Sequence, residues 1–104
     1  MKVGKSVIEF GVNQLIIFYP EFARHSQYIG ADTLVDNWYN LFKSIDYDYE
    51  YAEQDFKQAV KNLIIHTGFT PNCGNVVEEM RNIYNARLEE KAKAEYLECI
   101  EKGK

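Results

Sequence analysis

The stretch SIDYDYEYAEQDF, residues 44–56, decides how this chain folds. Its middle sets an acid before a tyrosine three times running, at Asp46-Tyr47, Asp48-Tyr49 and Glu50-Tyr51. Strict alternation is the pattern of a half-buried β-strand. The alternation stops at Ala52, however, and a longer pattern takes over from Tyr49. Ala52, Phe56, Ala59, Val60, Leu63 and Ile64 then recur on one face at the helical period. The longer pattern wins, so the segment reads as the entry to a helix. Asp46 or Asp48 supplies the N-cap oxygen, and the acids that follow favour the positive end of the helix dipole. In this reading Tyr49 faces the core, whereas Tyr47 and Tyr51 point elsewhere, beside Asp46, Asp48, Glu50 and Glu53.

Upstream, Leu34, Val35, Trp38, Leu41, Phe42 and Ile45 fall at three- and four-residue intervals, which predicts an amphipathic helix capped by Asp32 or Thr33. Before it, residues 20–31 hold Pro20, Ser26 and Gly30 without a sustained period. They read as a connecting loop that tucks Phe22, Tyr28 and Ile29 into the core. The first helix runs from Ser6 to Tyr19, with Ile8, Val12, Leu15, Ile16 and Tyr19 inward, and Pro20 closes it. Gly11 inside it costs about 1 kcal/mol relative to alanine; it reads as a tolerated glycine, with a close helix crossing as the alternative.

Downstream, TGFTPNCGN at 67–75 is a turn, and the last helix starts at Asn72, or at Asn75 with Glu78 three residues on. Val76, Val77, Met80, Ile83, Tyr84 and Leu88 form its apolar face. From Glu89 onward only Tyr96, Leu97 and Ile100 interrupt a Glu/Lys/Ala sequence, so this part projects beyond the core or pairs with another chain. The fold class is therefore all-α, a small bundle of about four helices with an extended C-terminal helix. Residues 1–88 form the helical domain and 89–104 a charged extension.

A chain of 104 residues has room for one core, and 46% hydrophobic residues suffice to build it. The formal charge of −4 argues against binding nucleic acid through phosphate contacts, which need clustered Lys and Arg. Arg87, Lys91 and Lys93 alternate with Glu89, Glu90 and Glu95 and read as a solvated face. No apolar run reaches the ~20 residues that span a bilayer, and no secretory leader is visible, so the expected location is the cytoplasm.

Nothing in the sequence assembles catalytic chemistry. His25, His66, Cys73 and Cys99 lack zinc-site spacing, and both cysteines read as free thiols. No nucleophile elbow or phosphate-binding glycine loop occurs, and the acids at 46–55 lack the glycine and glutamate of an EF-hand loop. The expectation is a non-enzyme without cofactor or metal that acts by contact. Tyr47, Asp48, Glu50 and Tyr51, with Phe69 on the turn, are the candidate partner-binding residues, because exposed tyrosine beside acids suits a basic partner. The alternative, that these tyrosines cover the outer edge of the core, stays open.

Taken in order, several pieces carry a resemblance. They are YPEF at 19–22, Leu34-x3-Trp38-x2-Leu41-Phe42, Asp46-Tyr47-Asp48-Tyr49, Ala59-Val60, Phe69-Thr70-Pro71 and Glu79-Met80-Arg81. Across residues 15–85 the chain resembles the phage-encoded replicative helicase loader and inhibitor proteins of phages that infect Gram-positive bacteria. It has Thr70-Pro71 where that family tends to carry two prolines, and its helix beyond Leu88 has no counterpart there. The resemblance implies protein contact at the start of DNA replication in the host cytoplasm. The partner would be the host AAA+ helicase loader, which the protein would inhibit, or the hexameric replicative helicase itself. The chain's compactness and the lack of a long flexible tail favour the loader. A structural or regulatory phage protein that dimerises through its last helix, with no helicase connection, is the third reading.

Overall fold

The computed structural model describes residues 3–102, with only the backbone of Lys102, and every regular element among them is helical. Five helices follow one another: α1 (Lys5–Phe18), α2 (Pro20–Ile29), α3 (Ala31–Lys43), α4 (Ala52–His66) and α5 (Cys73–Lys102). The all-α class holds, with one more helix than the sequence spacing suggested.

The extra helix corrects the reading of residues 20–31 as a loop. Tyr19, which precedes proline, is extended (φ −124°, ψ 108°) and ends α1. Steric conflict with the proline ring favours that conformation. Pro20 then opens α2 at its first position, where its missing N–H costs nothing and its fixed φ already suits a helix. The period was hard to see because α2 buries only Phe22 and Ser26. Tyr28 and Ile29 do not both tuck in as expected: Tyr28 is exposed and Ile29 only half-buried. Gly30 alone joins α2 to α3; its φ of 91° lies in the left-handed region that favours glycine. The expected cap at Asp32 or Thr33 is corrected too, since α3 begins at Ala31 with Gly30 at the N-cap and no capping side chain.

The core is a chain of rings that crosses three helices. Phe22 meets Trp38 edge-on at 5.7 Å, Trp38 stacks on Phe42 at 5.8 Å, and Phe42 meets Phe56 edge-on at 5.2 Å. Ile8, Val12 and Leu15 of α1 close over it, fully buried. Gly11 marks a close crossing and is not merely tolerated. A Cβ there would stand 2.6 Å from two ring carbons of Phe56, so only glycine lets α1 approach α4 this closely.

Tyr19 ties α1 to the far end of α4. Its hydroxyl lies 3.0 Å from the Leu63 carbonyl and 3.1 Å from that of Thr67, serving acceptors at the helix end. α5 starts with a reciprocal box: the Asn72 side chain accepts from the Asn75 N–H and the Asn75 side chain from the Asn72 N–H, each at 2.9 Å. Asn72 is thus the cap, and Asn75, not Glu78, completes the box.

α5 runs back along α4, with Glu79 bonded to Asn62 and Arg87 to Asp55. At 30 residues it is about 45 Å long, and residues 88–101 are exposed throughout. This overhang stretches the molecule to 64 × 27 × 17 Å. No helix among the described residues is long and apolar enough to cross a membrane.

Candidate interaction surface

The first eight residues of the stretch that opened the sequence reading, 44–51, lie outside the helix. α4 begins at Ala52 with Tyr51 at its N-cap position, so neither Asp46 nor Asp48 caps it. The tyrosines are also reversed relative to the helical expectation. Tyr49 is 68% exposed, whereas Tyr47 turns inward. The physical reason is Asp55. It is fully buried on the inner face of α4, among Ala52, Phe56 and Ala59, and a buried carboxylate needs donors.

Two residues supply them. The Tyr47 hydroxyl stands 2.7 Å from Asp55 Oδ2 and 2.7 Å from the Met80 carbonyl, so its single proton serves one acceptor at a time. Burial first, and the hydrogen bond to Asp55 second, raise its pKa well above the ordinary 10.0. Arg87 grips both carboxylate oxygens, Nη1 reaching Oδ2 at 3.1 Å and Nη2 bonding Oδ1. That fork-to-fork pairing is the geometry that suits arginine best. The assignment of Arg87 to a solvated charged face is therefore corrected: it is the counter-ion of a buried acid.

Around this lock the segment 46–51 is fastened to α5. The Arg87 guanidinium lies 3.9 Å from the centre of the Tyr51 ring and 5.7 Å from that of Tyr84, within cation–π range. The rings of Tyr47 and Tyr84 meet at 5.5 Å. Asp48 uses both oxygens, accepting from the Glu50 N–H at 3.0 Å and from the Tyr84 hydroxyl at 3.1 Å. The bond to Asp48, as its first cause, raises the Tyr84 pKa.

Of the five residues expected to bind a partner, the structure brings four into one neighbourhood and divides their roles. Tyr47 and Tyr51 are anchors, half-buried against α5, and Asp48 is exposed but bonded. Glu50 faces solvent, as do Asp46, Tyr49 and Glu53 beside it. Phe69 is exposed but lies beyond the other end of α4, about 22 Å away along a helix of 15 residues. It does not share the patch.

The sequence reading missed Asp55 and Arg87. The signal was available: Asp55 stands three residues after Ala52 and four before Ala59, inside an apolar stripe, where a carboxylate demands a cation.

Elsewhere the reactive side chains are dispersed. Burial pushes the Cys73 thiol up to about 12, which keeps it protonated and inert. Cys99 is an exposed free thiol on the overhang. Among the described residues no three His, Cys, Asp or Glu side chains converge as metal ligands would. Searches of protein-family models, of curated proteins and of solved structures returned no match to this chain.

Proposed function

We propose that this protein acts by contact, presenting the knuckle at 46–51 to a basic surface of another protein. The observation that carries this reading is the fastening of the knuckle. Tyr47, Asp48 and Tyr51 are bonded or stacked onto α4 and α5, and this leaves Asp46, Tyr49, Glu50 and Glu53 outward on a rigid base. An aromatic ring held among acids, with its ordering entropy already spent in folding, suits a positively charged partner.

The partner we propose is the AAA+ loader of the bacterial replicative helicase, with inhibition of replication initiation as the outcome. Support comes from the resemblance of its ordered motifs to those of phage helicase loader and inhibitor proteins. It comes also from the chemistry of the target, since such a loader must oligomerise and must hold single-stranded DNA on basic surfaces that an acidic knuckle can cover. The test is to mix the protein with purified loader and, separately, with the replicative helicase, and to resolve each mixture by size-exclusion chromatography with light scattering. A complex with the loader supports the reading. A complex with the helicase alone moves the target to the hexamer, and no complex with either overturns the replication reading.

A further inference from the structure

A groove of about 900 Å³ lies between α1 and α4 and runs from Glu53, beside the knuckle, toward the far end of α4. Phe10 and Phe18 from α1 and Val60, Ile64 and Ile65 from α4 give it an apolar lining, and Gln14, Gln54 and Gln58 share its walls. Along its α4 rim, Glu53 and Lys61 stand eight residues apart, with Lys57 between them and its Nζ 5.8 Å from the centre of the Phe10 ring.

The overhang of α5 presents the matching shape. Leu88, Ala92, Tyr96 and Ile100 follow one another at four-residue intervals, so they form one stripe on a helix. Leu97 lies beside it, and Tyr96 is 66% exposed. The stripe from Ala92 to Ile100 runs about 12 Å, the length of α4 from Glu53 to Lys61. Lys93 and Glu101 flank the stripe on one side, again eight residues apart and with the charges in the opposite order to Glu53 and Lys61.

The same chain cannot make this contact. α5 is one continuous helix that runs antiparallel to α4 and passes beyond its N-terminal end, so the overhang leads away from its own groove. A two-fold axis perpendicular to α5 reverses that direction. It sends the overhang of a second copy back toward the first, parallel to α4. In that direction Lys93 meets Glu53 and Glu101 meets Lys61. We propose that two copies of this chain form a closed dimer, each laying its 88–101 overhang into the α1/α4 groove of the other. Such an exchange is isologous, and it covers Tyr96, Leu97 and Ile100 of each overhang together with Phe10 of the facing groove.

The experiment is sedimentation equilibrium on the full chain and on charge-swapped variants, with circular dichroism to check that each stays helical. The expected species is a dimer of twice the 12.2 kDa chain mass. Lys61→Glu or Glu101→Lys alone weakens it about tenfold, since each change places like charges together at both symmetric contacts. The double variant carrying both regains most of the loss. Tyr96→Asp, at an exposed position in the middle of the stripe, gives a monomer. A chain that stays monomeric up to its solubility limit overturns the proposal. So does a dimer that ignores Tyr96→Asp, or one in which the double charge variant is no tighter than the singles.

Discussion

The ring of Phe56 occupies the space a side chain at Gly11 would need, with two of its carbons 2.6 Å from where that Cβ would stand. Phe56 is fully buried and held edge-on against Phe42, so it cannot swing away cheaply. Gly11→Ala gains about 1 kcal/mol of helix propensity and loses more to overpacking, which typically costs about 1–3 kcal/mol. The expected outcome is a net loss of stability in urea denaturation. Combining it with Phe56→Leu should cost less than the two changes summed, because the smaller side chain vacates the clash.

Arg87 and Asp55 make a second, steeper prediction. Arg87→Met leaves a buried carboxylate with Tyr47 as its one remaining side-chain donor, and breaking such a pair costs about 3–5 kcal/mol. Arg87→Lys keeps the charge but loses the two-pronged grip and the broad face over Tyr51, so it recovers only part of that loss. Thermal melts of the three proteins rank them wild type, lysine, methionine.

The tyrosines set the alkaline limit of stability. Tyr47 has a folded-state pKa raised above its ordinary 10.0 by burial and by Asp55, and burial raises that of Tyr19 as well. The unfolded chain therefore releases these protons first. Stability is fully present below pH 10 and falls as pH rises from there through the folded-state values. Tyr47→Phe loses about 1 kcal/mol near neutral pH, because Met80 and Asp55 lose a donor. It should also show a shallower decline above pH 10 than wild type. Denaturant titrations on either side of that pH measure both effects.

The reciprocal box at the start of α5 predicts a smaller effect. Asn72→Ala removes the acceptor of the Asn75 N–H and should cost about 1 kcal/mol. Asn72→Asp keeps that acceptor at the positive end of the helix dipole and should be close to neutral in the same melts.

Much of this was legible from spacing alone. Phe56, Ala59, Val60 and Leu63 are buried as their period required, and so are Leu34, Val35, Trp38 and Phe42. The exposed run after Leu88 matched its composition. What failed was local reading where tertiary contacts decide. Pro20 reads as a stop in sequence because a proline ends one helix and starts another with the same ring, and only the extended Tyr19 tells the two apart. Leu41 fits the period of α3 yet is exposed, on the rim of a groove left open between α2, α3 and the start of α5. At the knuckle, the tyrosine that turns inward was set by the hydrogen-bonding need of Asp55, a residue eight positions away, and by a carbonyl on α5. Periodicity does not encode such a demand, although a carboxylate within an apolar stripe announces it.

The most direct test of the functional account is the affinity of this protein for the AAA+ helicase loader, measured by calorimetry across a salt series with wild type and with a Tyr49→Ala, Glu50→Lys double variant. Both side chains are exposed, so the fold should be preserved. The account predicts that wild type binds and weakens as salt rises, because opposite charges meet at the contact. The double variant should bind at least ~100-fold more weakly, with a flatter salt dependence, as loss of a central aromatic together with a charge reversal requires. Equal affinities for the two proteins, or no heat of binding from wild type, would contradict it.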